Sequence, residues 1–125
     1  MRSALENKIK ALIVDDETDA CYLLSSILEH KNLQASFVNT INEAKTVLEE
    51  ESPSIIFLDN HLPDGFGMNF IPDIKQRLPQ AKIIMITAHD TQADKNKAIF
   101  QGADHFIGKP FTREIIFKAI ESLMN

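Results

Sequence analysis

The run Ala11-Leu12-Ile13-Val14-Asp15-Asp16-Glu17 decides the fold: four apolar residues in succession, then three acids where a strand would end. The pattern returns along the chain. Ile55-Ile56-Phe57-Leu58 ends on Asp59, Ile83-Ile84-Met85-Ile86 ends on Thr87, and His105-Phe106-Ile107 is followed one residue later by Lys109. Short apolar runs with almost no polar interruption suit parallel strands buried on both faces. In an open parallel α/β sheet, ligands bind outside the carboxyl ends of the strands. Asp15, Asp16, Asp59, Thr87 and Lys109 are therefore predicted to share one crevice.

Outward from that run, apolar strand-like stretches alternate five times with helix-period segments, which predicts a doubly wound α/β domain of five parallel strands and five flanking helices. The strands read as Ile9 to Val14, Leu33 to Val38, Ser54 to Leu58, Lys82 to Thr87 and His105 to Ile107. The first helix is expected to bury Ala20, Leu23, Leu24, Ile27 and Leu28. Thr40 and Glu43 form a capping box for a second helix with Ile41, Ala44 and Leu48 inward, and Pro53 ends that segment. Pro63-Asp64-Gly65 marks a turn before a third helix with Phe70, Ile71, Ile74 and Leu78 inward, within which Pro72 is awkward unless it sits in the first turn or kinks the helix. The fourth helix, from about Thr91 to Gln101, carries a thin stripe of Ala98 and Ile99 with Phe100 and ends at a left-handed Gly102, so it should be the most loosely held. Thr112 caps the fifth, with Ile115, Ile116, Ala119, Ile120 and Leu123 as core and Phe111 stapled against Ile116. Residues 1–7 read as a flexible N-terminal tail, and residues 1–125 as a single domain.

Composition narrows the classes. With 125 residues, 44% hydrophobic and 25% charged, the chain can bury a core without metals or disulfides. A formal net charge of −5 argues against nonspecific binding to nucleic acid or anionic membrane. The lone Cys21 forms no internal disulfide and reads as a small buried hydrophobe. No apolar stretch reaches membrane-spanning length and no signal-peptide pattern occurs, so a cytoplasmic location is expected.

The common five-stranded order 2-1-3-4-5, taken from known doubly wound folds, sets strands one and three side by side and gathers Asp15, Asp16 and Asp59 at the switch point. Three acids so close stay ionised only beside a cation. Oxygen-only ligands favour a hard ion, Mg²⁺ or alternatively Mn²⁺, which completes its shell with water and phosphate. Such an ion with the Lys109 ammonium nearby suits a phosphoryl group in transfer, and Asp59 is the candidate nucleophile, since a carboxylate accepts phosphoryl as an acyl phosphate.

On Val14-Asp15-Asp16-Glu17, Phe57-Leu58-Asp59, Leu62-Pro63-Asp64-Gly65, Ile86-Thr87-Ala88, Gly102-Ala103-Asp104 and Lys109-Pro110-Phe111, in that order, the chain resembles the response-regulator receiver domains of two-component signalling over nearly its whole length. The resemblance implies a flavodoxin-like fold. It implies Asp59 as phosphoacceptor, with Mg²⁺ held directly by Asp16, Asp59 and the backbone carbonyl of His61, and by Asp15 through water. It further implies Lys109 and Thr87 as partners of the phosphoryl oxygens, Phe106 as the aromatic that turns inward on activation, and a cis Lys109-Pro110 bond. His61 and His89 depart from the family's commonest choices, at positions where it varies the rates of phosphoryl gain and loss. The expectation is that the two imidazoles shield the acyl phosphate from water and make its lifetime pH-sensitive near neutrality.

The resemblance also implies partners: a sensor histidine kinase or histidine phosphotransfer protein upstream, and a downstream protein effector or effector domain. The family signals through the face from the fourth helix across the fifth strand to the fifth helix, often by phosphorylation-dependent homodimerisation. No direct contact with nucleic acid or membrane is expected. The chain ends just after the fifth helix, so it reads either as a stand-alone regulator or as a receiver cut from a longer one. Two other classes compete. A Mg²⁺-dependent phosphohydrolase with a carboxylate nucleophile, of the haloacid-dehalogenase type, needs a second acid two residues after the nucleophile, where this chain has His61. A flavin or nucleotide binder is disfavoured because the first loop is acidic and no G-x-G-x-x-G or G-x-x-x-x-G-K motif occurs. Asp15, Asp16 and Glu17 would in any case favour the dipole of the helix they precede.

Overall fold

Each predicted apolar run forms a strand in the computed structural model, which describes residues 8–124; the expected N-terminal tail at residues 1–7 lies outside the described residues. The strands are β1 (Ile9–Val14), β2 (Leu33–Val38), β3 (Ile55–Leu58), β4 (Lys82–Thr87) and β5 (His105–Gly108). Helices α1 (Thr18–His30), α2 (Ile41–Glu50), α3 (Gly67–Arg77), α4 (Gln92–Gln101) and α5 (Arg113–Met124) alternate with them. The five strands are all parallel in the order β2-β1-β3-β4-β5. A separate two-residue antiparallel pairing, His61–Leu62 with Gly65–Phe66, follows β3.

Successive side chains of a strand point to opposite faces, so one run of apolar residues feeds two cores. From β1, β3 and β4, Leu12, Val14, Ile56, Leu58, Ile83 and Met85 join Ala44 and Leu48 of α2, Phe70, Ile71 and Ile74 of α3 and Ala98 of α4. The alternate residues Ala11, Ile13, Ile55, Phe57, Ile84 and Ile86 join Cys21, Leu24, Ile27 and Leu28 of α1 and Ile116, Ala119 and Ile120 of α5.

Helix phasing departs from expectation at three places. In α1 the buried face is Cys21, Leu24, Ile27 and Leu28, while Leu23 is 54% exposed; it stands about 100° around the helix from Leu24. In α4 only Ala98 is buried, and Ile99 and Phe100, about 100° and 200° further round, are exposed, Phe100 by 90%. Ile115 of α5 is likewise largely exposed. Pro72 lies inside α3, past its first turn, on the exposed side.

The capping signals resolve into specific bonds. Thr91 Oγ1 accepts from Asp94 N–H at the start of α4, Gly102 closes that helix at φ 118°, and Thr112 Oγ1 accepts from Ile115 N–H. At α2 Thr40 Oγ1 accepts from Glu43 N–H, but Glu43 reaches back to Asn39 N–H, one residue before the expected Thr40. The remaining first-turn donors, Ile41 and Asn42 N–H, go to the two carboxylate oxygens of Asp64, each at 2.9 Å. Those bonds, that from Ile41 foremost, hold the Asp64 carboxyl below its usual pKa. Asp64 thus caps a helix more than twenty residues away and ties the loop after Asp59 to α2. Replacing it with alanine should cost about 1 kcal/mol, the typical worth of a helix cap, with Asp64→Asn losing less; urea melts of the two variants check this.

Candidate functional site

Three of the functional side chains are aimed by one device. Each sits one residue beyond its strand, and its backbone N–H extends the parallel ladder: Asp15 to Val38 O at 3.1 Å, Asp59 to Val14 O at 2.9 Å and Lys109 to Thr87 O at 2.9 Å. Since β1 and β3 are adjacent, Asp15 and Asp59 emerge side by side at the switch point. Both are buried, as is Thr87. The Lys109-Pro110 bond is cis, as expected.

Lys109 closes the group. Its Nζ lies 2.8 Å from Asp15 Oδ2, 2.8 Å from Glu17 Oε1 and 3.6 Å from Asp59 Oδ2. A carboxylate oxygen from each of Asp15, Glu17 and Asp59 lies within 4.8 Å of the others. Hard, anionic oxygens so arranged fit a hard divalent cation. The composition of the group differs from expectation in one member: Asp16 is exposed and outside it, whereas Glu17, read from sequence only as a helix-favouring acid, belongs to it.

The electrostatics follow from this crowding. Burial first, then the charge of Asp15, raises the Asp59 pKa to about 6 against the pull of Lys109 and of the Asn60 N–H. For Lys109, burial works to lower the pKa, but its bonds to Asp15 and Glu17 and the charge of Asp59 outweigh that and hold it above the usual lysine value. Beneath the pocket, the Cys21 thiol donates to Asp15 O at 3.3 Å, and burial, then the charge of Asp15, pushes it up to about 12. Cys21 is therefore an inert packing residue.

The floor of the site contains two residues that the sequence pattern did not single out. Asn60 is buried; its N–H donates to Asp59 Oδ1 at 2.8 Å, and its Oδ1 accepts from Met68 N–H at 3.0 Å. Gly67, the first residue of α3, donates to Asn60 O at 2.8 Å and packs so tightly that a Cβ there would lie 2.1 Å from Asp59 O. The glycine following Phe66 was the available signal, since an otherwise unexplained glycine can mark close backbone approach.

Around the rim, His61 and His89 pack with ring centroids 4.0 Å apart and planes tilted by 39°, and His61 also meets Phe66 edge-on. The His89 N–H donates to Thr87 Oγ1 at 3.2 Å. His61, Phe66 and His89, with Asn60, Met68, Asn69, Asp94 and Lys97, line a cavity of about 200 Å³ beside the acids. Phe106 is half-buried against the α3-side core. No helix of the described residues is long and apolar enough to cross a membrane.

A five-stranded doubly wound sheet with acids and a lysine at its switch point defines a flavodoxin-like domain with an acidic cleft. Residues 11–121 match the response regulator receiver domain, and the chain belongs to that family. The response regulator protein PilR of Pseudomonas aeruginosa is 36% identical over 115 residues, 89% of this chain but 26% of PilR, so the chain spans about a quarter of that relative's length. The beryllofluoride-activated NtrC4 receiver domain dimer, solved in solution, is 37% identical with a TM-score of 0.87 over 91% of this chain and 94% of that one. A response regulator from Burkholderia pseudomallei, solved with a phosphorylated aspartic acid, a calcium ion and citrate, is 25% identical with a TM-score of 0.83 over 94% of this chain and 75% of that one.

Proposed function

We propose that this receiver domain accepts a phosphoryl group on Asp59, in a Mg²⁺-dependent transfer from a sensor histidine kinase or a histidine phosphotransfer protein, and passes the signal on through the α4–β5–α5 face. The observation that carries the reading is a carboxylate only 6% exposed, with a raised pKa, facing an ammonium 3.6 Å away. Such a group is costly to ionise alone and is relieved by a cation, which makes it a metal-dependent nucleophile rather than a surface acid. The Burkholderia neighbour's phosphorylated aspartic acid and calcium ion, and the beryllofluoride-activated state of the NtrC4 receiver, fit the same reading.

In the proposed step an Asp59 oxygen forms a P–O bond as the P–N bond of the donor phosphohistidine breaks, its electron pair leaving with the donor imidazole. A bound Mg²⁺ would be held by Asp59, by the His61 carbonyl, by Asp15 through water and by Asp16 turned in from its exposed position, and would supply positive charge to the transferring oxygens. The Asn60 N–H fixes Asp59 Oδ1. Lys109 neutralises the new anion, and Thr87 turns its hydroxyl to it, bringing the loop that carries His89 and freeing Phe106 to turn inward. The exposed Ile99 and Phe100 of α4 offer an apolar contact for an effector or for a second copy, and the NtrC4 receiver is a dimer. The His61–His89 pair stands at the rim as a partial shield against water.

Acetyl phosphate with Mg²⁺ tests the reading. A hydroxylamine-labile gain of about 80 Da is expected on the wild type and none on Asp59→Asn, and the adduct should decay faster in His61→Ala and His89→Ala. Absence of the adduct, or its persistence in Asp59→Asn, would overturn the assignment.

A further inference from the structure

Glu17 brings a carboxylate to the pocket, and the local fold does not require it there. It occupies the N-cap position of α1, where a shorter Asp, Asn, Ser or Thr side chain would accept from the first free N–H groups of the helix. It makes no such bond. Its Oε1 reaches instead to Lys109 Nζ, 2.8 Å away and ninety-two positions along the chain. The Glu17 side chain is 64% exposed and that of Lys109 13%, so the glutamate covers the ammonium from the solvent side.

An ammonium has three N–H donors. Glu17 takes one at 2.8 Å, Asp15 pairs with the ammonium at the same distance, and Asp59, at 3.6 Å, is beyond hydrogen-bond reach. We infer that Glu17 is a positioning residue that restrains Lys109, occupying a donor the phosphoryl group would otherwise receive and so setting how firmly the site holds that group. The inference rests on Asp59 being the phosphoacceptor. A second effect has the same sign, because a phosphoryl group adds nearly two negative charges beside the Glu17 carboxylate. Glu17 is not needed to orient the lysine, since buried Asp15 already holds it at the same distance. Exposure makes the effect modest and salt-sensitive.

Beryllofluoride, titrated calorimetrically into the full chain at saturating Mg²⁺, reads this directly. Glu17→Gln is expected to bind it about three- to fivefold tighter than wild type at low salt, and Glu17→Ala should shift the same way because both remove the charge. The gap should close towards 1 M NaCl, where the screening length falls to about 3 Å. A purely structural role in α1 would move the melting temperature without any such salt-dependent gap. Unchanged or weaker binding in Glu17→Gln, or a gap indifferent to salt, would overturn the inference while leaving Asp59 in place. So would a tenfold or greater loss of Mg²⁺ affinity in Glu17→Gln, which would make Glu17 a metal ligand instead. Failure of the wild type itself to take up beryllofluoride would remove the phosphoacceptor reading and this one together.

Discussion

Gly67→Ala is expected to lower stability towards the upper end of the range for overpacking, about 1–3 kcal/mol, and to slow acyl phosphate formation about tenfold or more. The added methyl would lie 2.1 Å from Asp59 O, 3.1 Å from Asp59 C and 3.0 Å from Leu58 Cγ. Two of these atoms are backbone, so no side chain can swing aside to make room. Nor can α3 simply withdraw, because Gly67 N–H and Met68 N–H are both bonded to Asn60, whose own N–H holds Asp59 Oδ1. The methyl must therefore shift the peptide of the nucleophile or break that chain of bonds, and misplacing a reacting group by about 1 Å can cost a hundredfold in rate. Urea melts read the first effect and intact mass after timed exposure to acetyl phosphate reads the second. A variant within about 0.5 kcal/mol of wild type, phosphorylated at the same rate, would show that the contact relaxes freely.

That contact also marks where sequence reading stops. The strands were legible because β1, β3 and β4 are apolar on both faces, a pattern without register ambiguity, and their ends, with that of β5, located Asp15, Asp59, Thr87 and Lys109. The five-strand order was supplied by known folds and is observed here. Helix faces were less legible: Leu23, Ile99, Phe100 and Ile115 are apolar but exposed, and composition does not reveal how a helix is rotated on its sheet. The side chain of Glu17 illustrates the same limit at the site. Its position next to Asp15-Asp16 suggested a helix-dipole role, and only the return of the chain at Lys109 gives it another partner. Asp64 was legible as a turn residue but not as the cap of α2, because the donors it satisfies belong to an element more than twenty residues earlier.

Asp59→Asn, which should abolish the adduct, is expected to make the metal-free protein more stable than wild type near pH 7.5, by about 1–3 kcal/mol. In the folded state the Asp59 carboxyl has its pKa at about 6, against about 3.9 for an unfolded aspartate. The folded chain thus binds the proton more tightly, so this group's favourable contribution is complete below the unfolded value and is lost as pH rises through about 6. The gap between the folded and unfolded values sets a ceiling of about 3 kcal/mol. The measured gain should fall below that, because the substitution also removes the 3.6 Å attraction to Lys109, while the Asn60 N–H keeps an acceptor in the new amide oxygen. The difference between the two proteins should shrink to about 0.5 kcal/mol or less near pH 4, where Asp59 is neutral in the folded state and about half so in the unfolded one. Mg²⁺ should act in the opposite sense: an ion that binds only the folded state stabilises it by an amount that grows with the logarithm of one plus its concentration divided by its Kd, and wild type, with one more carboxylate, should gain more than the variant. Parallel stability–pH curves for the two proteins between pH 4 and 7.5 without metal would show that ionised Asp59 costs the fold nothing, and the pocket would then lack the stored repulsion that makes a cation and a phosphoryl group welcome.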